Sequence, residues 1–68
     1  MVLNIVYSDR SVQVVNLSDK YEWNHRDSRR QSNVFCLAYD ISLGKGGHMV
    51  EYNLVSKGKL IDKQEWKA

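Results

Sequence analysis

The sequence predicts a mainly β protein: a five-stranded antiparallel sheet or a small, partly closed barrel. An N-terminal hairpin and a C-terminal three-stranded meander would form it, with one short helical turn admitted in residues 18–32. Three observations predict this class. Proline is absent and alanine occurs only at Ala38 and Ala68, while valine, tyrosine, isoleucine and tryptophan recur, a bias toward strands. Apolar side chains alternate with polar ones at period two in several short runs. Clusters of turn-forming residues, at Ser8–Ser11, Gly44–Gly47 and Ser56–Gly58, separate those runs.

Length and composition bound the rest. Sixty-eight residues, 43% hydrophobic and 26% charged with a net charge of +2, suit a single soluble domain over residues 1–68. Reactions that need two domains, a dinucleotide crevice or an α/β barrel are excluded by length. Ordering such a chain costs about 100 kcal/mol at roughly 1.5 kcal/mol per residue. A domain of this size buries only about 60% of its unfolded surface, so small domains usually carry a staple. Cys36 is the only cysteine, which excludes an internal disulfide. Cys36, His25 and His48 lack the paired close spacings of a structural zinc site, so no metal or other cofactor is expected. A compact β-core, a homodimer or a partner must supply the missing stability.

The opening residues, Met1–Tyr7, lack a basic lead and a long apolar run, so no signal peptide is expected. No run approaches the ~18 apolar residues of a membrane span. One cysteine fits a reducing compartment, and a cytoplasmic location away from membranes is the expectation.

Taken in order, Leu3, Ile5 and Tyr7 alternate with Asn4, the turn Ser8–Ser11 follows, and Val12–Leu17 returns. Residues 2–17 thus read as a hairpin, with a bulge where the apolar phase slips between Val14 and Val15. Asn33–Leu43 reads as the central strand: Phe35, Leu37, Tyr39, Ile41 and Leu43 fall on one face at period two, and Val34, Cys36 and Ala38 on the other. Gly44–Gly47 would then close a hairpin. Val50, Tyr52 and Leu54 point inward on the next strand, and Lys59–Trp66 completes the meander of residues 33–66, with Leu60 and Trp66 in phase. Lys57, Lys59, Lys63 and Lys67 cluster about that last strand, as lysines do at an exposed sheet edge. Curling five short strands gives a barrel in the manner of SH3-like folds. Ser18–Ser32 is the polar, irregular stretch and reads as an ordered loop. Asp19 and Glu22 have capping-box spacing, but Tyr21 and Trp23 cannot share a helical face.

Few residues carry a chemical signature. His25-Arg26-Asp27 spells a kinase catalytic triplet, but Ser32 stands where the metal-binding asparagine belongs and the other kinase parts are missing. Lys45 among glycines lacks the spacing and the following helix of a phosphate loop. Cys36, in an apolar run, reads as a small hydrophobe rather than a nucleophile served by His25 or His48. Arg29-Arg30-Gln31-Ser32 has the form of a basophilic kinase target, which would place charge beside the central strand.

One constellation stands out: Tyr21, Trp23, His25, Arg26, Arg29 and Arg30, extended by Lys59 and Lys63. Aromatic and guanidinium groups together form protein-binding hot spots, and also stack bases and neutralise phosphates. A third reading folds Tyr21 and Trp23 back to plug the open end of the sheet. The acids Glu22, Asp27, Asp62 and Glu65 interrupt the basic residues, which favours protein over nucleic acid. The sequence therefore points to a non-enzymatic binding module that docks on and modulates or inhibits a larger protein. Such a character is that of small accessory or inhibitor proteins, those of bacterial viruses included. The alternative is a single-stranded RNA- or DNA-binding barrel.

Overall fold

The computed structural model describes residues 1–24 and 32–66. Two hairpins flank one helix in the order β1 (Val2–Tyr7), β2 (Val12–Asn16), α1 (Asn33–Lys45), β3 (Met49–Ser56) and β4 (Lys59–Glu65). The strands form a single antiparallel sheet in the order β2-β1-β3-β4, with β2 and β4 at its edges. The sheet is open, so four strands and a helix replace the expected five strands and closed barrel.

Residues 33–43 account for the difference. They satisfy two periods at once, because Val34, Leu37, Ala38, Ile41 and Ser42 also recur at the three- and four-residue steps of a helix. The end signals decide between them. Ser32, in extended geometry, accepts a hydrogen bond from the backbone N–H of Phe35 and caps the N-terminus. Gly46 at φ 75° closes the C-terminus, its N–H reaching Leu43 O and that of Gly47 reaching Ser42 O. Gly44–Gly47 is therefore a helix stop rather than a hairpin turn. Val34, Ala38 and Ser42 face the sheet and are buried, whereas Tyr39, Leu43 and Cys36, expected inside or mid-strand, are exposed.

The core lies between α1 and one sheet face, where Leu3, Ile5, Tyr7, Tyr52 and Leu54 meet Val34 and Ala38. Each fully buried Leu, Ile or Val among them contributes about 1.5–3 kcal/mol. Gly47 comes so close that an added Cβ would lie 2.6 Å from the buried Tyr7 ring.

The first hairpin forms as expected, but without the Val14–Val15 bulge: Leu3 pairs with Val15 and Asn4 with Val14 in unbroken register. The phase slip has another cause. Gln13 and Val15 face the helix side, and Val12 and Val14 lie exposed on the opposite face. The register shifts occur instead between Val6 and Tyr7 against β3, and between Leu54 and Val55 against β4. The second shift sets Asp62 opposite Leu54 and Leu60 opposite Val55, so Asp62 is buried and Leu60 is 57% exposed. Leu60 and Trp66 are thus out of phase. Lys57, Lys59 and Lys63 do border the edge strand β4. Lys67 lies outside the described residues.

The uncovered face carries Val2, Val6, Val12, Val14, Val55 and Leu60 by alternation and register, with Asn4 donating to Asn53 across its centre at 2.8 Å. Met1 closes its sheet end, its ammonium 2.8 Å from Asp19, whose carboxyl is held below the usual carboxylate range by that hydrogen bond and charge. Among the described residues no helix is long and apolar enough to cross a membrane.

Replacing Gly47 by alanine should force the Tyr7 ring to shift and cost about 1–3 kcal/mol by urea unfolding. Unchanged stability would mean that the α1–β3 connection does not sit against Tyr7.

Candidate functional site

At the first turn of α1 three polar groups meet in the interior. Ser32 Oγ lies 3.0 Å from Tyr52 Oη and 3.2 Å from Asp62 Oδ2, and Tyr52 Oη donates to the same carboxylate oxygen at 2.9 Å. Asp62 Oδ1 accepts from the Lys63 N–H at 3.0 Å. Ser32 is 1% exposed, so this set is enclosed and joins the helix to β3 and β4. A kinase cannot reach the Ser32 hydroxyl in this fold, which removes the phosphorylation reading for the folded chain.

The same tyrosine begins an aromatic cluster that reaches the surface. Its ring centroid is 6.2 Å from Phe35 and 6.1 Å from Trp66, and those two are 5.3 Å apart in tilted packing. Tyr39, one helical turn beyond Phe35, stacks on it at 5.9 Å and is 47% exposed. The N–H of Trp66 donates to Val50 O at 2.8 Å, which holds the indole at the end of β4. Phe35, Tyr39, Trp66, Met49 and His48 line an open cleft of about 280 Å³. Its floor is thus aromatic, and its rim is partly polar.

His48 also borders a second, more polar depression of about 440 Å³, which holds Tyr7, Asp9, Lys45 and Gly47. Lys45 Nζ sits 4.2 Å from the Tyr7 ring centroid, a cation–π contact at the end of the helix. Burial pushes the Tyr7 phenol up. Asp9 accepts from the Ser11 hydroxyl and N–H, and its carboxyl is lowered by those hydrogen bonds first and by the Lys45 charge after them. His48 thus borders both the aromatic cleft and the depression in which Lys45 faces the Tyr7 ring and Asp9.

The constellation expected from sequence is distributed differently. Tyr21 and Trp23 are half-buried and pack against the core, the fold-back arrangement, while keeping part of their surface exposed. Their segment is tied to the helix start by Asn33, whose amide donates to Glu22 O and accepts from the Asn24 N–H, both at 2.7 Å. His25, Arg26, Arg29 and Arg30 lie outside the described residues, as do Asp27 and the rest of the kinase-like triplet. Lys63 faces the uncovered side of the sheet, opposite Asn53, and pairs with Glu65 at 2.6 Å. Lys59 lies at the β3–β4 turn, opposite Ser56. The structure therefore does not bring Lys63 together with Tyr21 and Trp23, which pack on the covered side.

Sequence reading missed the cleft. Phe35 and Tyr39 carry the one signal that could reveal it, their four-residue spacing, and that signal exists only if residues 33–45 are read as a helix. Among the described residues no group of three or more His, Cys, Asp or Glu side chains is placed to hold a metal ion. No family model matches the chain, and neither a curated protein nor a solved structure matches it.

Removing the exposed ring by Tyr39→Ala should change the unfolding free energy by no more than about 0.5 kcal/mol. Phe35→Ala should cost about 2 kcal/mol or more, since Phe35 touches Tyr52 and Trp66. Equal losses, measured by denaturant unfolding, would make Tyr39 part of the core and close the cleft as a site.

Proposed function

We propose that the chain is a protein-binding module that docks on a larger protein and modulates it, with the Phe35–Tyr39–Trp66 cleft as its anchor pocket. The single observation that carries this reading is an open surface cleft walled by the packed rings of Phe35, Tyr39 and Trp66. Its volume suits an aromatic or long aliphatic side chain inserted from a partner, and aromatic pockets of this kind concentrate binding energy. His48 at its margin, and Lys45 in the adjoining depression that His48 also borders, favour a partner that presents a carboxylate beside the inserted side chain.

The aromatic–basic stretch of Tyr21, Trp23, His25, Arg26, Arg29 and Arg30 is the second contact of the same module. It runs directly into Ser32 and the first turn of α1, which carries Phe35. Lys59 and Lys63 lie on the β4 edge and serve chiefly to guard it. Binding rather than catalysis is favoured because the buried polar set, Ser32, Tyr52 and Asp62, is enclosed and internally hydrogen-bonded. Cys36 is exposed on α1, which suits a reducing, cytoplasmic setting. Asp40 beside Tyr39, Asp9 beside Lys45, and Glu51 and Glu65 on the sheet break up the positive field that a nucleic-acid groove requires.

The test is affinity capture from lysate, with and without nuclease, using the native chain and the Tyr39→Ala/Lys45→Ala variant. A nuclease-resistant protein retained by the native chain and lost at least tenfold by the variant is the expected result. Capture that disappears with nuclease, or that the variant leaves unchanged, would replace this reading with single-stranded nucleic-acid binding or with another surface.

A further inference from the structure

Among the described residues one enclosed side-chain polar atom accepts no hydrogen bond: the carbonyl oxygen Oε1 of Gln64. Register places it. Gln64 lies directly opposite Tyr52, and alternation puts it on the covered face of β4 between Asp62 and Trp66. Trp66 continues the pairing, its N–H on Val50 O at 2.8 Å. Gln64 thus stands between the buried polar set on one side and the aromatic cluster on the other. The polar set has no proton left for it. The Ser32 and Tyr52 hydroxyls each carry one, and both donate to Asp62 Oδ2, at 3.2 and 2.9 Å. An acceptor stripped of water and left without a donor is costly, whereas an apolar side chain of the same shape there would strand nothing. On the other side Tyr52 and Trp66 hold their rings 6.1 Å apart, and Trp66 with Phe35 and Tyr39 walls the open cleft of about 280 Å³.

We infer that Gln64 selects the side chain the cleft takes: a ring that carries a hydrogen-bond donor, the phenol of tyrosine or the indole of tryptophan, which donates to Oε1. This deepens the pocket reading above and rests on it. Gln64 as a whole is only half-buried, so its amide, carried on rotatable bonds, can turn beside Trp66 toward the cleft. A phenylalanine or leucine anchor fills the same space and leaves the oxygen unpaired. A tyrosine or tryptophan fills it and supplies the missing proton. A site with a buried polar group discriminates most against the analogue that lacks its partner, and one hydroxyl separates tyrosine from phenylalanine. Lysine and arginine also donate, but the lining of the cleft (Phe35, Tyr39, His48, Met49 and Trp66) holds no carboxylate to pair a cation brought out of water.

Titration of the full chain with N-acetyl-tyrosinamide, N-acetyl-tryptophanamide and N-acetyl-phenylalaninamide tests this. Proton–nitrogen correlation NMR follows it, with the Gln64 side-chain amide and the Trp66 indole N–H as direct reporters. All three compounds should shift Trp66 and Tyr39. The tyrosine and tryptophan amides should bind about fivefold or more tightly than the phenylalanine amide, and they alone should shift the Gln64 side-chain amide. Gln64→Met, which keeps the length and removes the carbonyl, should bind the three alike and unfold at no lower urea concentration than the native chain. Equal affinities in the native chain, or a preference that survives in Gln64→Met, overturn the inference and leave the pocket standing. A loss of stability in Gln64→Met also overturns it, because the oxygen would then already have a partner. No shift of Trp66 or Tyr39 by any of the three overturns the pocket reading and this inference with it.

Discussion

One buried hydroxyl fixes the architecture. Ser32 Oγ accepts the Phe35 N–H, which starts the helix, and meets Tyr52 of β3 and Asp62 of β4 in the same cavity. A buried carboxylate is costly unless its oxygens are satisfied, and Asp62 is satisfied only when helix start, central strand and edge strand occupy these positions together. The network is therefore a positional lock rather than a store of stability: it adds modest net energy, but every misplacement of α1 strands a polar group. That distinction explains how a chain with so small a core holds one arrangement.

What the lock positions is the asymmetry of the sheet. With α1 held over one face, Leu3, Ile5, Leu54 and Val34 are sealed, and the opposite face remains a shallow array of valines about the Asn4–Asn53 hydrogen bond. The ring of Tyr52 carries the constraint outward. Its hydroxyl belongs to the lock and its ring to the aromatic cluster with Phe35 and Trp66, so the cleft at the surface inherits its shape from the interior. Helix, cleft and open sheet edge are consequences of one placement.

Much of this was legible in the sequence, and the principal error is instructive. Both hairpins and the edge position of β4 follow from alternation and turn residues, which act locally. Residues 33–43 read as a strand because Phe35, Leu37, Tyr39, Ile41 and Leu43 fit a strand face, while Val34, Leu37, Ala38 and Ile41 fit a helical stripe equally well. The arbitrating residues stand outside the apolar run: Ser32 before it and Gly46 after it. An eleven-residue strand is also long for so small a protein, and that length itself favoured the helix. Two register shifts lay beyond reach, since a bulge depends on the partner strand. With them went the burial of Asp62, which alternation sets with Gln64 between Leu60 and Trp66 without revealing what it would bond. Tyr21 and Trp23 show the limit of composition, which identifies residues suited to contact but not which part of each ring the core will cover.

The most direct test of this account is a double-mutant cycle between Ser32→Ala and Tyr52→Phe, followed by urea unfolding. If the helix start is locked through a shared buried network, each single change costs about 1–3 kcal/mol and the double change costs less than their sum by more than about 0.5 kcal/mol. Strict additivity, or near-neutral single variants, would contradict it, because the helix would then hold its place without the hydroxyl that defines its first turn.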